Sequence, residues 1–309
     1  MINFRYHVVS LTAVFLALAI GLVVGTAALN GPVADSLKDQ VTALSKDNSN
    51  FRDQANQYRD ELNRAQDFAT EVAPALLSGK LAGRKLVLMA LPGSQDYVEQ
   101  VKSMLAIAGA TITARVTVQD KFFDPANNTE LLDLAEAGSQ PTIPAAGLPL
   151  NSDGVETSSA LLALALTQRT PEVAKNDLTA LLSAYTKAGY LAVDKDAVGG
   201  AEAIVIVSGL PPVDKDAAKK AQSAVTLATQ FAKDRPLVVA GNGVGDGNLV
   251  SEIRKDPTLV KTISTVDNGS TTQGQLATAL AVVERVVQAR VGQYGLSAGA
   301  TSLVPKSAA

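Results

Sequence analysis

The chain has 309 residues with no Cys, one His and no Trp, and 27 basic and 30 acidic residues give it a formal net charge of -3. The lack of Cys excludes a disulfide framework, a thiolate metal site and a cysteine nucleophile. A single His excludes a His-rich metal cluster, and the slightly acidic balance argues against a globally basic nucleic-acid-binding protein.

The first feature along the chain is an uncharged segment that runs from residue 8 to residue 34. Its apolar part, residues 8–29, exceeds the roughly 20 helical residues that cross a bilayer core. It is longer than the h-region of a signal peptide, which has about 7–15 residues. The segment therefore predicts a retained transmembrane helix over 8–29. A signal peptide cleaved after Ala27 or Ala28 is the alternative.

The charges on either side of this segment predict its orientation. Arg5 and the terminal amine precede it, and Asp35 is the first charge after it. Because positive charge is retained on the cytoplasmic side, we expect a cytoplasmic N-terminus of residues 1–7. The chain is then a single-pass membrane protein with its bulk in the periplasm or cell envelope, and His7 is an interfacial polar residue.

Residues 33–73 alternate apolar steps of three and four and contain neither Gly nor Pro, a pattern that is typical of a coiled coil. The core positions of the predicted interface are Leu37, Val41, Leu44, Asn48, Phe51, Tyr58 and Leu62, and the same spacing continues to Ala65, Ala69 and Val72. The alternative is one amphipathic helix that packs on its own domain.

Asn48 indicates the number and direction of the strands. A polar side chain at an a position finds a matching amide across the axis of a parallel two-stranded coil, so Asn48 favours a parallel homodimer. Asp47 at g faces Arg52 at e of the second helix, which is an attractive pair in the same arrangement. The helices would form a stalk of roughly 58 Å.

We expect Pro74 to end this helix and residues 78–84 to form a short linker. Strands and helices then alternate. The predicted strands are 85–91, 111–118, 203–207, 237–240 and 261–266, and the predicted helices are 96–110, 128–137, 156–188 in two pieces broken before Pro171, 214–234, 249–255 and 274–291.

This alternation predicts the fold class, because strand–helix–strand units form parallel sheets with right-handed crossovers. Residues 84–309 are expected to form a Rossmann-like, mostly parallel α/β head domain with about five parallel strands and helices on both faces. The proline-rich stretch 137–154 leaves a subdivision into two subdomains possible.

Two polar loops follow predicted strands. Residues 241–247, GNGVGDG, match neither the dinucleotide-binding spacing nor the P-loop, and indicate a flexible connection. Asp267, Asn268 and Gln273 lie after the last predicted strand and are a possible ligand edge, since ligands bind at the carboxyl ends of parallel strands. The favoured alternative is a turn with a helix N-cap at Ser270 or Thr271.

The residues predict no catalytic site, no metal site and no evident cofactor, so the chain is not expected to be an enzyme. The nucleophile-elbow and zincin motifs are absent, although a Ser-Lys or carboxylate-pair enzyme stays open. Cu(I) favours thiolate and thioether ligands. The part after the membrane segment offers only Met89 and Met104, which are interpreted as core residues.

The sequence resembles the actinobacterial MctB family, the copper transporter or copper transport outer membrane protein family. The resemblance lies in RYHVVSLTAVFLALAIGLVVG (5–25), the coiled coil directly after it, the strand KLVLMALPG and STVDNGSTTQGQLATALA (264–281), and it runs the full length. The resemblance implies a role in copper efflux and homeostasis in a mycolic-acid envelope. Copper is suggested by this resemblance alone.

The same resemblance implies a second role. Members of the family look like SteB-type proteins of cell separation, which work with a SteA-like membrane partner and regulate peptidoglycan hydrolases. Both roles fit the same predicted architecture, a membrane-anchored homodimer with a stalk and an α/β head and no nucleic-acid partner.

Overall fold

The computed structural model describes residues 4–29, 31–138, 140–143, 147–168, 172–243 and 245–306. The chain divides between Ala65 and Gln66 into two compact units. The boundary lies inside a long helix, so the last turns of that helix belong to the second unit, which also contains the whole sheet.

The first unit contains helix α1, Phe4–Leu29, and the larger part of helix α2, Pro32–Leu77. Within α1, Phe4–Ala27 is apolar and long enough to cross a membrane by length and composition. Its 24 residues extend roughly 36 Å at about 1.5 Å per residue. Every side chain of this span is exposed. The predicted N-terminal apolar helix is therefore confirmed.

The prediction that Pro74 ends α2 is wrong, because the helix continues through it to Leu77. A proline removes its own N–H from the helical ladder and its ring crowds the carbonyl four residues earlier, but its own carbonyl still accepts from the Ser78 amide at 3.0 Å. Ala73 and Leu77 are fully buried. Their packing on the head holds the last turn, which the sequence pattern of α2 alone does not reveal.

Residues 78–84 form tight turns that pack on the head. Leu81 is fully buried, and its amide donates to the Ala108 carbonyl at 2.8 Å. The Thr111 amide donates to the Arg84 carbonyl at 2.8 Å. The segment that we expected to be a short linker therefore contributes to the core.

The second unit is built on one seven-stranded sheet with the order β3-β2-β1-β4-β5-β6-β7. All neighbours pair in parallel except β3, which runs antiparallel to β2. The strands are β1 Lys85–Ala90, β2 Thr111–Val118, β3 Leu191–Val193, β4 Ala203–Val207, β5 Leu237–Ala240, β6 Ile263–Val266 and β7 Gln293–Tyr294. The five predicted strands are present. Strands β3 and β7 were not predicted from the sequence, because their three and two residues are too few to show the apolar pattern of a strand.

The helices of this unit follow the predicted alternation, with the predicted bounds for α4 and α8 and shifted ends for the others. They are α3 Val98–Ile107, α4 Asn128–Ala137, α5 Gly154–Thr167, α6 Lys175–Lys187, α7 Ala217–Ala232, α8 Leu249–Lys255 and α9 Thr272–Val287, with 3-10 turns at Asp120–Phe123, Pro125–Asn127 and Leu259–Lys261. Residues 156–188 contain two separate helices, α5 and α6, as expected, whereas Pro171, before which the break was predicted, lies outside the described residues. Helix α9 ends at Val287, and Ala289 adopts a positive φ of 55° just beyond it.

Apolar cores cover both faces of the sheet. One core holds α4 to α8 and includes Val87 and Met89 of β1, and the other holds α3, α9 and the end of α2 and includes Leu86 and Leu88. Alternate residues of β1 therefore enter opposite cores, as expected for a parallel strand that is buried on both faces. Strands from both sides of 137–154 join this one sheet, because β1 pairs with β4.

The end of α2 offers a matched test of this packing. Leu77 is fully buried, whereas the neighbouring Leu76 is 41% exposed. Leu77→Ala should lower the free energy of unfolding by about 2–5 kcal/mol, because it leaves a cavity in the core. Leu76→Ala should change it by about 0.5 kcal/mol or less. Urea denaturation followed by circular dichroism measures both, and equal effects would contradict the packing of α2 on the head.

Candidate functional site

The sheet contains a topological switch point, where the connections of two adjacent strands lead toward opposite edges of the sheet. The chain leaves β1 toward β2 and leaves β4 toward β5, on opposite sides, although β1 and β4 are neighbours. The helices that follow, α3 and α7, lie in opposite cores. The loops after β1 and β4 therefore diverge and leave a crevice at the carboxyl ends of the strands. Open α/β sheets bind ligands at such a point.

The two loops touch at a pair of glycines. A Cβ on Gly209 would lie 2.5 Å from the Pro92 carbonyl oxygen and 2.6 Å from the Cα of Gly93, which is closer than side-chain atoms approach. Gly93 itself has a φ of 78°, which favours glycine. Both glycines are required for the contact, and the crevice is closed where Gly93 and Gly209 meet.

Tyr97 fills the α3 side of the crevice. Its side chain is only 5% exposed, and its hydroxyl donates to the Ser208 carbonyl. Burial, and then the nearby Asp96 carboxylate, raise the pKa of the Tyr97 phenol above its usual range. Tyr97 therefore stays a neutral hydrogen-bond donor that joins the two loops.

On the α7 side the crevice stays open as a cavity of about 260 Å³. The walls are mostly apolar, and three polar residues reach it: Asp120, Ser208 and Lys220. Its apolar and glycine lining consists of Leu91, Pro92, Gly93, Phe123, Gly209, Leu210, Pro211, Pro212, Ala221, Ala224, Gly247 and Leu249.

Lys220 and Asp120 are the charged groups that line this cavity. The Lys220 side chain is 9% exposed, and its ammonium lies 2.7 Å from the carboxylate of Asp120 and 2.7 Å from that of Asp214. These carboxylates raise the pKa of Lys220, and the ammonium lowers the pKa of Asp214. Lys220 is therefore charged throughout the neutral range. The sequence did not suggest this cluster, because Asp120 lies 100 positions before Lys220.

The predicted ligand edge at the end of β6 is occupied by internal contacts. Asp267 is 1% exposed, and Arg254 donates to it at 2.7 Å. Asp267 also accepts from the amides of Leu296 and Ser297 at 2.8 and 3.2 Å. The carboxylate thus holds the C-terminal segment against the sheet.

The neighbouring residues form a helix start. Thr271 is the N-cap of α9 and accepts from the Gly274 amide at 3.1 Å, so the expected N-cap is confirmed at Thr271. The Asn268 amide nitrogen donates to the Thr271 hydroxyl at 3.2 Å, whereas its buried side-chain oxygen has no partner among the described residues. Gln273 is half-buried in the first turn of α9.

The glycine-rich loop 241–247, described except for residue 244, is tied to the same region. The Gly243 amide donates to the Asp267 carbonyl at 2.8 Å, and the Ser270 hydroxyl donates to the Asn242 side chain at 2.8 Å. Asp246 is fully exposed and pairs with Lys255 at 2.9 Å. This loop connects β5 to α8, which agrees with the prediction that it is a connection.

The ion pair of Asp267 and Arg254 gives a second matched prediction. Asp267→Asn leaves the Arg254 guanidinium, whose side chain is 6% exposed, without its carboxylate. We expect a loss of about 3–5 kcal/mol in the free energy of unfolding. Asp246→Asn removes the same charge from an exposed pair and should change stability little. Equal urea midpoints for the two variants would contradict a stabilising role for Asp267.

The two methionines of the head lie in its cores. Met89 is fully buried in the core that holds α7, and Met104 is 6% exposed in the core that holds α9. The sheet separates them, so the two sulfurs serve packing rather than a shared site. Among the described residues, no three His, Cys, Asp or Glu side chains group as metal ligands.

The predicted coiled-coil residues of α2 are exposed on the single chain. The exposed fractions are 56% for Leu37, 64% for Val41, 68% for Leu44, 69% for Phe51, 69% for Tyr58 and 50% for Leu62. Asn48 is also exposed. Farther along the same heptad pattern, Ala69 is 3% exposed and packs in the head unit. The apolar positions that are open to a second helix therefore end before Ala69.

Comparisons with known proteins agree along the whole chain. The sequence profile of the family described as "Copper transport outer membrane protein, MctB" matches residues 1–305. The chain is 28% identical over 315 residues to "Copper transporter MctB" of Mycobacterium tuberculosis (strain ATCC 25618 / H37Rv), covering 98% of this chain and 99% of that protein. It is 30% identical over 319 residues to the protein of the same name in Mycobacterium leprae (strain TN), with the same coverage.

Proposed function

The chain belongs to the MctB family of copper transport outer membrane proteins, and from this we propose that it acts in copper efflux and homeostasis as a membrane-anchored protein of the cell envelope. The observation that carries the proposal is the extent of the match. It covers residues 1–305, so the apolar helix, α2 and the head are all shared with the family.

We propose that this role is indirect and uses no copper site of the chain's own. Cu(I) prefers thiolate and thioether ligands. The chain has no Cys, and Met89 and Met104 are buried on opposite faces of the sheet. A copper ion would reach either sulfur only if the core opened. Copper is in this proposal the cargo of the system, and the protein is an accessory to its export.

The proposed topology places residues 1–7 in the cytoplasm and the head in the periplasm or cell envelope. Its support is the length of the apolar span Phe4–Ala27 together with Arg5 before it and Asp35 after it. For the head we propose a Rossmann-like class. The order β3-β2-β1-β4-β5-β6, with the switch point between β1 and β4, supports it.

We further propose that α2 forms a parallel homodimer through residues 37–62. Large apolar side chains at heptad spacing are half or more exposed on the single chain, and a second copy of the helix would bury them. Asn48 lies among them at an a position, where a parallel pair satisfies its amide. Anchoring by α1 would raise the effective concentration of the two helices.

Because the chain has no Cys, single cysteines test the dimer directly. Leu44 is at a d position and Asp53 at an outward f position of the same helix. In the full chain in membranes, Leu44→Cys should form a covalent dimer with a short bis-maleimide, whereas Asp53→Cys should not. The products are counted on denaturing gels. Equal cross-linking of both variants, or of neither, would contradict the parallel in-register dimer.

A second function, scaffolding of septal cell separation, is favoured by the same exposed face of α2. A long helix with an apolar stripe presents a surface for another helix, and that helix could belong to a SteA-like membrane partner. In this alternative the homodimer regulates peptidoglycan hydrolases through the partner, and copper has no part.

Deletion of the gene separates the two functions. If the copper proposal is right, cell-associated copper measured by mass spectrometry should rise several-fold, and the full-length chain should restore it. Leu44→Asp, which places a charge in the heptad core, should fail to restore it although the head folds. Unchanged copper content together with unseparated cells would overturn the copper proposal and support the septal one.

A further inference from the structure

We propose that the cavity between β4 and α7 binds a small organic cation with an apolar body, such as an arylalkyl- or alkylammonium compound. The cavity lies at the carboxyl end of the sheet beside the switch point between β1 and β4. Ligand sites in open α/β sheets concentrate at this position. The proposal does not depend on the role in copper homeostasis.

The walls determine the body of the ligand. Leu91, Phe123 and Leu249 line the cavity together with Pro211 and Pro212, whose rings are rigid. An engineered apolar cavity of about 150 Å³ holds one benzene ring. A cavity of about 260 Å³ therefore has room for a ring or a short alkyl chain with a polar arm. The site is concave and apolar with few polar groups, as small-molecule sites are.

The polar end determines the charge of the ligand. Two carboxylates, Asp120 and Asp214, hold the ammonium of Lys220, and Lys215 also acts on Asp214, so Asp120 is the carboxylate that faces the cavity. Asp120 lines the cavity, and its side chain is 63% exposed, so it has room for a further donor. An anion would be repelled by Asp120 and Asp214, because these two carboxylates surround the Lys220 ammonium that could attract it. A cation is therefore the complementary ligand.

Ser208 belongs to the wall of the cavity. It follows β4 by one residue, and the alternation of the strand places its side chain on the face that holds Ile204, Ile206 and α7. Ser208 is 4% exposed and lines the cavity, and its hydroxyl has no partner among the described residues. A buried polar group without a partner is costly. This hydroxyl is itself enclosed by protein atoms, so Asp120 is the group that meets the polar end of a ligand.

The same geometry argues against a nucleotide in this crevice. Tyr97 fills the α3 side, and Gly93 and Gly209 are in contact where a pyrophosphate would need free backbone amides. Asp120 would repel a phosphate on the open side. Of the crevice between the loops after β1 and β4, the cavity on the α7 side is the part that a ligand can enter.

The test uses the full chain in lipid nanodiscs with one introduced cysteine. Leu210 lines the cavity and is 68% exposed, so Leu210→Cys reports on the mouth. Leu150, which is 91% exposed and not part of the lining, supplies the control Leu150→Cys. Benzylammonium should slow maleimide labelling at position 210 several-fold and leave position 150 unchanged. Benzoate, the matched anion, should not protect position 210.

Two further variants examine the groups that carry the proposal. Asp120→Asn should weaken the protection by benzylammonium about tenfold in concentration, because a charge-assisted hydrogen bond is lost. Asp196→Asn, an exposed carboxylate outside the lining, should have no effect. Ala224→Leu should abolish protection by filling the cavity without changing its charge. Thermal denaturation shows that each variant is folded.

The outcomes are separable. Protection by benzylammonium that depends on Asp120 and on the open cavity supports the proposal. Stronger protection by benzoate, equal protection by both compounds, or no protection by either would overturn it.

Discussion

The pairing of β1 with β4 is the constraint on which the rest of the head depends. It joins Leu86–Ala90 to Ala203–Val207, two segments more than 100 positions apart, in the centre of the sheet. Because the chain leaves the two strands in opposite directions, α3 and α7 pack on opposite faces. The two cores, the glycine contact, the position of Tyr97 and the cavity beside Lys220 all follow from this pairing.

Three charged side chains of low exposure in the head, those of Lys220, Arg254 and Asp267, are held in ion pairs. Lys220 joins α7 to Asp120 and Asp214. Arg254 and Asp267 hold the C-terminal segment, whose amides complete the bonds of the carboxylate. An ion of this kind without its partner would cost several kcal/mol. The pairs therefore fix where these segments lie.

Helix α2 lies in two environments. Over residues 37–62 its heptad positions are exposed on the single chain, whereas Ala69, Ala73 and Leu77 at its end are buried in the head. These three residues follow each other at steps of four, and Leu76, the next position of the heptad series, is 41% exposed. The head therefore packs on a face adjacent to the heptad stripe. Pro74 is tolerated because the core, and not the helix alone, stabilises the last turn.

Features that depend on local pattern could be predicted from the sequence. Spacing and composition predict the apolar span, the heptad spacing of α2, the five main strands and the cap at Thr271, and the structure contains each of them. The three-dimensional fold was needed to reveal the strand order, the continuation of α2 past Pro74, the internal contacts of Asp267 and the cluster around Lys220. These features depend on contacts between distant segments. Spacing along the chain does not predict which carboxylate pairs with which ammonium.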